Sequence, residues 1–192
     1  MIMHLFRRTP RAASIASFYG MIVAQARAPV FYQDYGVPDT VNGRFEMVVL
    51  HAVMVLDRLT AGPEPLRAVG QAIFDLFCRD MDANLREMGV GDLAVPRTMR
   101  KIGEAFYGRQ GAYRAALAAP DRQALTEVLA RNVFAGASGA APGADRLAAY
   151  MREAVGHLAA QDATALSRAE LGFPDPARIA APDFAAAGHG ER

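Results

Sequence analysis

Residues 44–59 read RFEMVVLHAVMVLDRL, and this run constrains the fold more than any other. Phe45, Val48, Val49, Ala52, Leu56 and Leu59 fall on one helical stripe, while Met47, Leu50, Met54 and Val55 put apolar groups on the remaining faces. A helix apolar around most of its circumference has to be enclosed by other elements. Its apolar stretch, 47–56, is broken by His51 and is far shorter than the roughly 20 residues that cross a bilayer. A central helix wrapped by others is therefore expected.

The rest of the chain supplies the wrapping. Ile15, Phe18, Tyr19, Ile22 and Ala26 share one face of a helix predicted over 14–28, with Ser14 as its cap and Pro29 as its stop. Residues 29–43 read as an ordered loop whose Phe31, Tyr32 and Tyr35 pin it to the core. Pro63 and Pro65 open a third helix to about residue 88, with Leu66, Val69, Ile73, Leu76, Phe77 and Leu85 facing inward. Gly89 reads as the residue just past its end, and Asp92 as the cap of the next helix. That fourth helix begins near 95 or 96 and reaches about 118, with Met99, Ile102, Phe106, Tyr113 and Leu117 as its buried stripe. Gly103, Gly108 and Gly111 weaken its interior and predict a kink or a close helix contact. A fifth helix is expected to about 134, a loop over 136–143, a sixth helix over 144–160 and a short piece over 162–171. No strand-like alternation appears. The expected class is all-α, a single compact multi-helix domain of about six helices spanning 14–171. A flexible basic arm (1–13) precedes it, and an extended or disordered Pro/Ala-rich tail (172–192) follows.

Charge and motif arguments remove several function classes. Twenty-one basic residues face twenty acidic ones, for a net charge of +1, so the bulk field predicts no affinity for DNA. Cys78 is the sole cysteine and reads as a small core residue, which removes disulfides and zinc clusters. His4, His51, His157 and His189 have no ligand partner at i+3 or i+4, so no metal site is expected. His51 reads as a hydrogen-bonded core histidine; the alternative is an axial haem ligand in a cofactor carrier. Asp80 and Asp82 resemble fragments of a magnesium-diphosphate motif, but their spacing does not share a helix face. Gly89-Val90-Gly91 is too short for a phosphate loop. Ala24-Gln25-Ala26 mimics a signal-peptidase site, yet the stretch before it is amphipathic rather than an unbroken apolar plug. No nucleophile and base can be paired, so no catalytic residues, no cofactor and no enzyme activity are expected.

The charged surface is concentrated between residues 75 and 113. Asp75, Arg79, Asp82 and Arg86 fall at i, i+4, i+7 and i+11 on the outer face of the third helix. Asp80, Asp82 and Glu87 are followed across the corner by Arg97, Arg100, Lys101 and Arg109. The two sets either pair with each other or form a bipolar docking surface.

Several segments taken in order carry a family resemblance. They are Tyr19-Gly-Met-Ile-Val-Ala-Gln-Ala-Arg27, Gly36-Val-Pro-Asp-Thr40, Gly43-Arg-Phe-Glu-Met-Val-Val-Leu-His51, Asp80-Met-Asp82, Leu85-Arg-Glu-Met-Gly-Val-Gly-Asp92 and Ala105-Phe-Tyr-Gly-Arg109 with Tyr113. Over about residues 17–158 the chain resembles the ubiquinol–cytochrome c chaperone family, the assembly factors of the cytochrome bc1 complex. The resemblance implies a non-catalytic role: binding newly made cytochrome b, association with the ribosome near its exit, work with a small partner protein, and delivery of the subunit for haem insertion. It is similar to a bacterial member without a long targeting extension, which implies a cytoplasmic protein in at most peripheral contact with the inner face of the inner membrane. Joined to the residue reading, this predicts a client surface on the third and fourth helices: Asp80, Asp82, Arg86, Glu87, Gly89, Gly91, Asp92, Lys101, Phe106, Tyr107, Gly108, Arg109 and Tyr113.

Overall fold

The computed structural model describes residues 10–137, 139 and 141–180, with side chains described from residue 14 onward. Among the described residues all regular structure is helical: α1 (Pro10–Ala26), α2 (Pro29–Gln33), α3 (Val41–Thr60), α4 (Glu64–Glu87), α5 (Val95–Ala118), α6 (Gln123–Asn132), α7 (Ala141–Ala160) and α8 (Ala163–Ser167), then a single 3₁₀ turn at Pro176–Arg178. The all-α expectation holds. Residues 1–9 of the expected arm lie outside the described residues, and 10–13 belong to α1.

The central helix is α3. Every residue from Glu46 to Leu56 is buried, and α1, α4, α5 and α7 all pack against it. Polar side chains tie it to its neighbours at the far end. Asp57 accepts from Gln110 Nε2 (2.7 Å) and Arg114 Nη2 (2.6 Å) on α5. Arg58 donates to the carbonyls of Leu158 (3.0 Å) and Gln161 (2.9 Å), satisfying acceptors that the end of α7 leaves open.

Three local outcomes differ from the sequence expectation. First, α3 starts at Val41, not near 44. The Thr40 hydroxyl accepts from the Gly43 N–H at 3.1 Å and caps it, and Gly43 is buried where only glycine fits, since a Cβ there would stand 2.0 Å from the Pro38 carbonyl oxygen. Second, the 29–43 stretch contains a short helix, α2; its Phe31 and Tyr35 are buried as expected, and Tyr32 is half-buried. Third, the tail is ordered as far as residue 180. The Gln161 side chain donates to the Gly172 carbonyl (2.7 Å) and accepts from its N–H (3.1 Å). Tyr35 donates its hydroxyl to the Pro176 carbonyl (2.7 Å), Arg146 donates to that of Ile179 (3.2 Å), and Pro176 and Ile179 are buried. Of the two alternatives for 172–180, the tail is a packed strap, mostly without regular structure, and not a disordered one; residues 181–192 lie outside the described residues.

The α4–α5 corner forms as the sequence predicts at Gly89 and not at Asp92. Gly89 has φ +82°, with Gly89 N–H donating to Arg86 O and Val90 N–H to Leu85 O, both at 3.0 Å. These two bonds close a Schellman motif. Asp92 does not cap α5, whose first turn follows Ala94 without a side-chain cap; its carboxylate pairs with Arg86 instead. Gly103, Gly108 and Gly111 produce neither a break nor a close contact, since a Cβ at each would meet nothing within 4 Å. Two glycine classes therefore respond oppositely to alanine. Gly43→Ala should destabilise the domain by more than about 2 kcal/mol through its clash with Pro38. Gly108→Ala and Gly111→Ala should each stabilise it by about 0.5–1 kcal/mol. Chemical denaturation of the three variants checks both signs.

Candidate functional site

The predicted client surface divides into an exposed part and a core part. Arg86 bridges Asp82 (2.7 Å) and Asp92 across the corner, and these groups, together with Glu87, Gly89, Gly91, Lys101, Tyr107 and Gly108, sit at or near the surface. Arg100 pairs with Glu104 of its own helix at 3.7 Å. Of the two alternatives for the charged corner, pairing of α4 acids with α5 bases is not what forms: among the described residues the ion pairs of α4 and α5 run within α4 and its corner, within α5, or from α5 to α3.

Three of the predicted contact residues are structural. Phe106 is 1% exposed, its ring 5.2 Å from that of Phe74 and 5.3 Å from that of Phe77. Tyr113 is fully buried and lines a cavity of about 210 Å³ together with Val53, Met54, Leu117 and Met151. Arg109 reaches α3 and binds Glu46 through two bonds, Nε to Oε2 and Nη2 to Oε1, each 2.5 Å. Glu46 is 1% exposed, so its charge needs this partner. Sequence reasoning gave Glu46 no role, although an acid inside the most apolar helix was the available signal.

His51 is a core histidine. Its Nδ1 lies 2.8 Å from the Met47 carbonyl, which can only accept, so Nδ1 carries the proton and Nε2 accepts from the Tyr150 hydroxyl at 2.9 Å. Tyr150 in turn accepts from Gln25 Nε2 (3.1 Å), and Phe173 of the strap closes over the imidazole with ring centroids 5.4 Å apart. Burial pushes the imidazole down to a pKa of about 4, so it is neutral at pH 7. Both nitrogens are occupied and the ring is enclosed, which disfavours axial haem ligation.

A surface feature that sequence reasoning did not assemble lies beside the corner. Val41, Phe45 and Val48 on α3 are spaced i, i+4, i+7, and so are Met81, Leu85 and Met88 on α4. With Val23 of α1 and Ile102 of α5 they line a groove of about 560 Å³. Val41 and Met88 remain 73% and 58% exposed, and Leu93 at the corner is 99% exposed. The apolar stripe of α4 thus continues past the core it helps to fill. Arg27, Arg44, Asn42, Asp80 and Asn84 supply the polar lining. Asp80 is the predicted site residue that the structure brings to this groove. It accepts from the Tyr19 hydroxyl at 2.8 Å, and burial plus that carboxylate hold the phenol well above its ordinary range. The signal for the groove was the extra turn of apolar stripe at Met81, Leu85 and Met88.

A family model described as ubiquinol-cytochrome C chaperone matches residues 33–173. The chain belongs to the ubiquinol–cytochrome c chaperone family. The fold agrees: the crystal structure of the Cbp3 homolog from Brucella abortus superposes with a TM-score of 0.83 at 40% identity, covering 94% of this chain and 100% of that one. No curated protein matches. Membership makes this an assembly chaperone of the bc1 complex, as the resemblance implied. Among the described residues no helix is long and apolar enough to cross a membrane.

Two stability measurements follow. Arg109→Ala should cost about 3 kcal/mol by leaving Glu46 buried without a partner. That corresponds to roughly 6–12 °C in a chain of this size. Replacing Glu46 and Arg109 together by leucine should recover much of the loss. For His51, the folded pKa of about 4 lies below the unfolded 6.5, so the unfolded chain binds the proton first as the medium acidifies. The contribution is complete above about pH 6.5 and is lost as pH falls toward 4. Denaturation midpoints across this window should fall more steeply for the native protein than for His51→Gln.

Proposed function

We propose that this chaperone binds newly made cytochrome b and holds one of its apolar segments until the subunit enters the bc1 complex. The observation that supports this most directly is the open apolar groove between α1, α3, α4 and α5 in a member of the bc1 chaperone family. An unassembled membrane subunit presents apolar helix faces, and helix-in-groove docking covers them. Val41 and Met88 of the groove are themselves exposed, in keeping with an interaction site rather than scattered surface residues.

In this reading the client surface keeps Asp80 in the groove. Asp82, Arg86, Glu87, Asp92 and Lys101 form its charged surroundings, and Gly89, Gly91, Tyr107 and Gly108 are the uncharged positions among them. Phe106, Arg109 and Tyr113 support it from within. The protein would work at the cytoplasmic face of the inner membrane, in peripheral contact at most. A small partner protein and the ribosome near its exit are further candidate contacts, the latter through the basic arm over residues 7–11, of which 7–9 lie outside the described residues. No catalytic step is assigned. The geometry at His51 gives no support to a haem-carrier function.

The direct test is a deletion strain. Redox difference spectra and immunoblots of its membranes should show a selective fall in cytochrome b and assembled bc1 complex, with other cytochromes retained. The intact gene should restore both. Unchanged cytochrome b and bc1 levels would count against this client.

A further inference from the structure

We propose that the groove selects for charge as well as shape: its occupant is an apolar helical segment bearing a carboxylate side chain, which Arg27 receives. This rests on the reading of the protein as a chaperone for a membrane subunit and names the class of segment it accepts.

The argument begins with the polar lining. Three ionisable groups border the groove: Arg27, Arg44 and Asp80. Only Arg44 has its charge answered, by Asp39 at 2.5 Å. Asp80 accepts from the neutral Tyr19 hydroxyl at 2.8 Å and keeps its negative charge, so a carboxylate on the occupant has to sit away from Asp80 and toward Arg27. Arg27 is exposed and forms no ion pair among the described residues. It also lines an adjoining hollow of about 290 Å³, shared with Arg44, Tyr32 and Asp39. An occupant of the apolar groove thus passes a guanidinium that is free to bind.

The shape favours a helix. Two walls carry apolar side chains at i, i+4 and i+7, the spacing that interdigitates with ridges of another helix. The volume of about 560 Å³ admits one apolar helix face and not a whole helix, so the segment lies in the groove with its far side open. A carboxylate on an apolar segment is costly to leave unpaired away from water. Guanidinium binds carboxylate through two parallel bonds, which adds geometric selection to attraction. An anionic lipid offers the same charge, but a thin acyl chain does not match the two helical stripes.

The test uses the full chain and labelled helical peptides of about 20 residues, built from leucine and alanine with one central Glu, Gln or Lys and solubilising ends. Anisotropy should give the Glu peptide roughly fivefold or more tighter binding than the Gln peptide, the effect of one partly exposed ion pair. The Lys peptide should bind weakest. Arg27→Glu should invert the order, so that Lys exceeds Glu, with an unchanged circular dichroism spectrum and melting temperature. Asn84→Trp, which fills the groove, should weaken all three peptides. Equal binding of the Glu and Gln peptides, or an Arg27→Glu protein that keeps the native order, overturns the proposal. So does Arg27-dependent binding to phosphatidylglycerol vesicles with no peptide bound, which would make lipid the ligand. The deletion strain tests the client and this assay tests the groove, so either reading can fail alone.

Discussion

The structure depends on keeping α3 dry on every side. From Glu46 to Leu56 no position of this helix is available to solvent, so α1, α4, α5 and α7 have to close around it. The two polar groups inside that stretch are each answered by a neighbour, Glu46 by Arg109 and His51 by Met47 and Tyr150. An unanswered charge or imidazole at this depth would cost more than the packing around it returns. The apolar helix and its polar partners therefore fix where α5 and α7 sit.

The enclosure of α3 is incomplete at its amino-terminal end, where the proposed client groove lies. Val41 and Phe45 belong to the same helix as the core, but there α1, α4 and α5 leave them lining a groove, with buried Val48 at its base. One helix thus supplies both the densest packing and the floor of the open site. A groove floored by such an element is held in shape without contacts of its own, which suits the proposed binding of a client segment.

Most of the helices were legible because burial repeats at helical spacing. The α4 stripe stands as the sequence predicts except for half-buried Leu76; in α5 only Phe106 and Tyr113 of the predicted stripe are fully buried, and Gly89 is recognisable because the end of α4 needs a left-handed residue. Two kinds of information were hidden. Side-chain partners far apart in sequence, such as Glu46 with Arg109 or Tyr35 with Pro176, leave no local pattern. The direction in which charged residues point was also hidden: Arg109 counts as surface in the sequence but reaches Glu46, whereas the inward turn of Phe106 and Tyr113 follows from their place on the apolar stripe of α5. The groove was only partly visible: its α4 wall is periodic, but that α1 and α5 complete it is a matter of tertiary packing. The family resemblance was the most legible feature, because it rests on many short segments in a fixed order.

The strap over 172–180 sets an order of events. Phe173 covers His51, and Pro176 receives the hydroxyl of Tyr35, so the last described residues complete a core begun by the first helices. A chain is made from its amino end. Until the strap has been synthesised, Gln25, Tyr35 and His51 border an unsealed pocket, and the helix bundle remains unfinished. A product truncated after Gln161 would keep every long helix yet lack its closing piece. Full closure therefore reports that translation has run past the last helix.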